Sequence, residues 1–303
     1  MRKTASLAIL ERLADEQRHI LSAWRGLLFL RNATFALAPN ERRWEHLPGH
    51  VEDLGPLFRQ MRERGEIKAV KGFPHLYEVT VPYARQGFID EREVLFERHP
   101  YAVLSHLSAL AFHGLTDEQP KGLTATVSAD VSGGLLPIST GPRDWEGVAW
   151  PGGLRPSNVF GRPVEWLNTK PERFFGFIEY QPLGFPMRYT TPERTLIDGL
   201  HNPQLSGGIA NVLHAWMLAR DTIDLDVLVH QVERFNVAVL RSRVGYVLDR
   251  IGLSHLNLET WRASSRRGGS NRLVGSEPFA PTFDERWNLS INVPVGVLDE
   301  RAT

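Results

Sequence analysis

Cysteine is absent from the 303 residues, which excludes disulfides, thiolate zinc sites, iron–sulfur ligation and cysteine nucleophiles in one step. An excess of charge of one sign is missing too. Thirty-five Lys+Arg offset 35 Asp+Glu, so a uniformly basic, histone-like binder is excluded while a local basic face is not. No run of about 18 apolar residues occurs. Met1-Arg2-Lys3-Thr4 is followed by Glu11, Asp15 and Glu16 instead of an apolar leader segment. These features predict a cytoplasmic protein with no membrane span. With 42% hydrophobic and 23% charged residues the chain has ordinary globular composition, and its length suits two or three domains of roughly 100–200 residues.

Residues 4–24 place Leu7, Leu10, Leu13, Ile20, Leu21 and Trp24 near helical spacing, which predicts one amphipathic helix. From Arg25 to Pro39 the chain is apolar on all sides and fits either a buried helix or a strand. Further on, Leu54, Leu57, Phe58 and Met61 fall at i, i+3, i+4 and i+7. That spacing predicts a helix with Pro56 in its first turn and Gly65 as its stop. Two β-prone runs follow, 67–70 and 76–81, joined by Lys71-Gly72-Phe73-Pro74, the pattern of a hairpin. A helical start, a helix with basic outward positions and then a hairpin is the order of a winged helix-turn-helix.

Beyond Tyr83 a second helix is predicted over 101–114. β-prone stretches come next at 123–128, 164–167 and 174–180, and helices from Thr191 onward over 207–220, 225–235 and 237–251, with a closing strand at 286–293. The expected fold class is α+β. A winged helix-turn-helix would occupy residues 1–85, and a mixed domain with a small sheet and C-terminal helices residues 86–303.

Residues 1–85 hold fourteen Lys+Arg against ten Asp+Glu, a net of +4 that leaves the remainder at −4. A helix presenting Arg59, Gln60, Arg62 and Arg64 beside a hairpin carrying Lys68, Lys71 and His75, with Arg42 and Arg43 upstream, supplies cations for phosphates and side chains for base edges. Residues 241–272 carry seven Arg against one Asp and one Glu. There the glycine-bearing loop with Arg266, Arg267 and Arg272 is a candidate basic contact, the alternative being a solvated linker.

Other constellations point to structure more than to chemistry. His106 and His113 stand seven residues apart on one predicted helix, without a third ligand nearby. Thr191-Pro192-Glu193-Arg194 reads as cap, first position and acidic first turn. Asp224-Leu225-Asp226 has the spacing of a nucleotidyltransferase carboxylate pair, but the Gly-Ser that such chemistry needs upstream is found downstream, at Gly275-Ser276. No P-loop, dinucleotide fingerprint, G-x-S-x-G or H-E-x-x-H occurs. The expectation is a binding protein with no catalytic residues, cofactor or metal.

The run Tyr101-Ala-Val-Leu-Ser105-His106-Leu-Ser-Ala-Leu-Ala-Phe-His113-Gly114-Leu-Thr116 resembles a known family, as do Thr191-Pro192-Glu193-Arg194-Thr-Leu-Ile-Asp198, Ser206-Gly207-Gly208-Ile209 and Arg243-Val-Gly245-Tyr246-Val-Leu-Asp-Arg. Together they resemble the AbiEi antitoxins of type IV toxin–antitoxin systems. The resemblance implies an N-terminal winged helix-turn-helix that binds operator DNA and represses its own operon. It also implies a C-terminal domain that counters a nucleotidyltransferase-like toxin, with or without direct contact, and no enzymatic activity. Ser105, His106, His113, Thr191, Pro192, Glu193, Arg194 and Asp198 carry the family pattern in that domain. The stretch from Trp24 to Leu47 is longer and more apolar than a compact winged-helix start needs. Two alternatives stay open: a stand-alone regulator with no toxin, and a metal-dependent nucleic-acid-processing enzyme with Asp198, Asp224 and Asp226 as ligands.

Overall fold

The computed structural model describes residues 2–82, 84, 89–182, 184–265 and 269–299. The chain is a mixed α+β protein made of two compact units. The first comprises 1–102, 130–161 and 179–188, and the second 103–129, 162–178 and 189–303. Among the described residues no helix is long and apolar enough to cross a membrane.

In the first unit Thr4 caps α1 (Ala5–Asp15) by accepting a hydrogen bond from the Leu7 amide. The single helix predicted over 4–24 stops there. Gln17 takes a positive φ of 51°, and residues Ile20–Ser22 form strand β1 instead. The reason is tertiary: β1 pairs antiparallel with a strand more than fifty residues away, Ile20 opposite Glu78 and Ser22 opposite Leu76. Ser22 then caps α2 (Ala23–Ala36), which resolves the helix-or-strand ambiguity. Every residue from Ala23 to Arg31 is buried, its apolar side chains by their character and Arg25 and Arg31 because their guanidinium groups find hydrogen-bond acceptors. The guanidinium of Arg31 donates to the carbonyls of Pro48 (2.7 Å) and Glu146 (2.8 Å).

Helix α3 (Gly55–Glu63) turns Phe58 and Met61 inward, with Pro56 in its first turn, and Gly65 follows at φ 66°. The left-handed region is open to glycine without steric penalty, so Gly65 ends the helix as its position predicts. Strands β2 (Ile67–Ala69) and β3 (Leu76–Val79) pair antiparallel, giving the sheet order β1-β3-β2. Ile9, Leu13, Leu21, Leu27, Leu54, Phe58, Met61, Ile67 and Val79 close one core.

Helix α4 (Glu91–Arg98) belongs to this unit and carries its buried acids. Glu97 accepts from Arg25 Nε at 2.6 Å, Arg18 Nη1 at 3.1 Å and the Ser22 hydroxyl at 2.5 Å. Glu93 accepts from the amides of His19 and Ile20, both at 3.0 Å. The division into units therefore differs from the expected cut between 85 and 86, which itself lies outside the described residues. These bonds join α4 to β1 and α2.

The second unit begins with β4 (Val103–Leu104), and the helix predicted from 101 starts only at α5 (His106–Phe112). Val103 and Leu104 are drawn into a sheet by β5 (Leu123–Ser128), with which they pair antiparallel. Parallel to β5 runs β6 (Arg162–Thr169), in register from Leu123–Val164 to Ser128–Thr169. On the other side of β4 lies Tyr189 of β7 (Met187–Thr190), paired with Leu104.

Among the described residues five α-helices follow. Thr191 caps α6 (Pro192–His201) by accepting from the Arg194 amide, and Pro192 occupies its first position. Next come α7 (Ile209–Ala219), α8 (Leu225–Phe235), α9 (Ala238–Arg250) and α10 (Asn257–Ser265). A small sheet, β8 (Asn271–Arg272), β9 (Phe283–Asp284) and β10 (Leu289–Ser290), ends the unit, so the predicted closing strand is only two residues long. Leu196, Val212, Trp216, Leu228, Val247 and Trp261 lie in the main core.

Candidate functional site

In the first unit, the apolar stripe of α3 faces the core, so Arg59, Gln60, Arg62 and Arg64 stand exposed on the opposite side. Lys68, Lys71 and His75 are exposed on the hairpin, where Gly72 (φ 84°) and His75 (φ 59°) make the turn. Arg59, Arg62 and Lys68 line one groove of about 670 Å³ together with Glu63, Gly65, Ile67, Ala69 and Thr80. The groove thus runs along α3 and the hairpin strand that follows it. Among the described residues Arg59, Arg62, Lys68 and Lys71 make no ion pair, whereas Arg64 stands 4.0 Å from Glu66.

Arg42 and Arg43 do not line this groove. Arg42 bridges to Lys3 and donates to the carbonyls of Trp44 (2.6 Å) and Glu45 (3.0 Å). It tethers a loop, and Arg43 beside it is exposed.

The second unit gathers the other candidate residues. Ser105 is fully buried, and its hydroxyl lies within hydrogen-bond distance of His106 Nδ1 (3.0 Å) and the Thr126 hydroxyl (2.8 Å). His106 has a φ of 51°, uncommon for a non-glycine residue. His113 follows the last residue of α5, and its Nε2 lies 2.7 Å from the carbonyl of Thr190. Arg194 Nε donates to Asp198 Oδ1 at 2.8 Å, one helical turn on, and its Nη1 donates to the carbonyls of Arg173 (2.9 Å) and Phe175 (2.8 Å). Its guanidinium also packs over the rings of Phe175 and Phe235. A buried pair held this fully by hydrogen bonds and aromatic faces fixes the start of α6 against α8.

His106, Arg194 and Asp198 open onto a recessed pocket of about 300 Å³. Lys170, Arg173, His201 and Phe235 complete its chemistry, with Thr126, Trp166, Asn168 and Asn202 on the walls. Burial lowers the pKa of His106, although Asp198 works in the opposite direction. Burial also lowers that of His201, again against Asp198. Burial thus disfavours the protonated form of both imidazoles. Lys170, Arg173 and His201 escaped the reading of the sequence because the pocket is assembled from five separated segments, and these three residues lie outside the motifs the sequence shows.

The three aspartates of the metal-enzyme alternative have separate tasks. Asp198 holds Arg194, Asp224 caps α8 by accepting from the Val227 amide (3.0 Å), and Asp226 lies 2.9 Å from His255 Nε2. Among the described residues no group of three His, Asp or Glu is arranged to hold a metal ion. Glu193 is buried near the start of α6, and its carboxylate accepts from the Asp224 amide at 3.4 Å. Arg266 and Arg267 lie outside the described residues. Arg272 is in β8, with its guanidinium donating to the Glu277 carbonyl (2.9 Å) and lying over Phe279.

No protein-family model and no curated protein matches the chain. Among solved structures, the crystal structure of the RV2827C protein from Mycobacterium tuberculosis is similar, with a TM-score of 0.53 at 14% identity over 98% of this chain and 95% of that one. At that identity the likeness concerns the fold.

Proposed function

We propose that this chain is a cytoplasmic DNA-binding regulator of the AbiEi antitoxin kind. Its first unit is a winged helix-turn-helix that binds operator DNA as a repressor. Its second unit serves to counter a nucleotidyltransferase-like toxin. What carries the DNA reading is the groove in which Arg59 and Arg62 of α3 and Lys68 of the hairpin stand exposed and unpaired. The order α1–β1–α2–α3–β2–β3, closed by a three-stranded antiparallel sheet, supports it. In that arrangement α3 is the recognition helix and the hairpin is the wing. Exposed cations next to a helix of this kind bind phosphates and displace counterions, so the affinity should fall steeply with salt.

The test is operator binding by the Arg59→Ala/Arg62→Ala variant. Each contact to a base should be worth about 1–3 kcal/mol, and each lost phosphate contact should make the salt slope shallower by about one. Both side chains are exposed, so thermal stability should match the parent. Unchanged affinity and slope would remove α3 from the interface. For the second unit, coexpression with the product of a neighbouring nucleotidyltransferase-like gene should protect the cells, and continued toxicity would leave a regulator alone.

A further inference from the structure

We propose that the recessed pocket of the second unit binds a phosphate monoester of mononucleotide size, with Lys170 and Arg173 meeting the phosphoryl group and Trp166 and Phe235 walling the remainder. The sign of the ligand follows from the lining. Three cations, Lys170, Arg173 and Arg194, face a single carboxylate, Asp198. Arg194 and Asp198 neutralise each other at 2.8 Å. Lys170 and Arg173 are left, and among the described residues neither makes an ion pair. Two uncompensated cations at one cavity match a dianion, and an arginine can engage a phosphoryl group through two parallel hydrogen bonds.

The pocket also holds hydrogen-bonding capacity that the fold does not consume. Among the described residues no hydrogen-bond partner meets His106 Nε2, Asp198 Oδ2 or either ring nitrogen of His201, although Asp198 interacts electrostatically with both imidazoles. These atoms are not sealed away from solvent but are turned to the pocket, where a ligand can reach them. Here they converge on a cavity of about 300 Å³, at the small end of the range for ligand sites. The imidazoles of His106 and His201 and the side-chain amide of Asn202 can donate to and accept from a heteroatom-rich ring or sugar, which a bare anion does not need. His106 itself is held at φ 51°, a backbone conformation that in folded proteins gathers at functional sites.

This inference does not rest on DNA binding by the first unit, and its test does not involve an operator. Isothermal titration of the full chain at low salt would use AMP, CMP, adenosine and inorganic phosphate as probes. AMP or CMP should bind, with inorganic phosphate at least tenfold weaker and adenosine giving no heat. The Lys170→Gln/Arg173→Gln variant should lose at least tenfold in affinity for the nucleotide. Lys170→Gln alone, an exposed position, should show part of that loss with an unchanged melting temperature, which keeps the test sound if the double variant folds poorly. Absence of binding by both nucleotides overturns the proposal. So does nucleotide binding indifferent to Lys170, and so does equal affinity for inorganic phosphate, because the walls would then contribute nothing.

Discussion

Glu93 and Glu97, about one turn apart on α4, are both buried and are balanced by different partners. Glu97 has two guanidinium groups and a hydroxyl, whereas Glu93 has two backbone amides, with His19 Nδ1 3.9 Å away. Burial pushes Glu93 up to about 8, against the opposing pull of the Ile20 amide and of Arg18. A carboxyl with a raised pKa in the folded state holds a proton that the unfolded chain releases above about 4.5. Its contribution to stability is therefore complete below pH 4.5 and is lost as pH rises through 8. Glu93→Gln should flatten the fall in melting temperature between pH 5 and 9, and a variant that keeps the parent slope would show that Glu93 does not carry it. Buried His99 acts in the opposite sense. Desolvation lowers it from 6.5 to about 4, so stability is lost as pH falls through that interval, because the unfolded chain takes up the proton first.

At the scale of the element, α9 shows why a glycine belongs in a helix interior. A Cβ on Gly245 would overlap the six-membered ring of Trp287. That ring is fully buried, and its Nε1 donates to Asp249 Oδ2 at 2.7 Å, one turn further along the same helix. The spacing of Gly245 and Asp249 thus docks one tryptophan by shape and by hydrogen bond. Gly245→Ala gains about 1 kcal/mol in helix propensity. It should nonetheless lower stability by about 1–3 kcal/mol, because the ring must move within a close-packed core. Chemical denaturation would measure this, and a stabilised variant would refute the close fit. The Arg243–Arg250 run therefore has a structural reason: Arg243 also donates to the carbonyls of Leu200 (3.0 Å) and Arg272 (3.1 Å).

At the scale of the molecule, the backbone passes between the two units several times, since 130–161 and 179–188 return to the first. A single cut cannot separate them. A fragment from residue 86 onward keeps Glu93 and Glu97 but loses Arg18, Ser22, Arg25 and the amides of residues 19–20 that hold them. Leaving buried acids without these partners is strongly destabilising, by about 3–5 kcal/mol for one broken buried pair. The fragment should be less soluble than the full chain and melt earlier and less cooperatively. A sharp transition at the parent temperature would contradict the division into units.

What the sequence determined by itself is local and periodic. Thr191-Pro192 and Asp224 announce helix starts through the backbone amides they satisfy or leave out, and Gly65 announces a stop through its φ. The 3.6-residue spacing of Leu54, Phe58 and Met61 put Arg59 and Arg62 on the outer face of α3 before any contact was known. Tertiary structure alone decided whatever depends on a distant partner. It broke the expected first helix to pair Ile20–Ser22 with β3, and it drew Val103–Leu104 into a sheet with β5. It also buried Glu93 and brought Lys170, Arg173 and His201 to the pocket that His106 and Asp198 share. Strand pairing and cavity formation join residues tens of positions apart, and helical periodicity reports only on neighbours within a few turns.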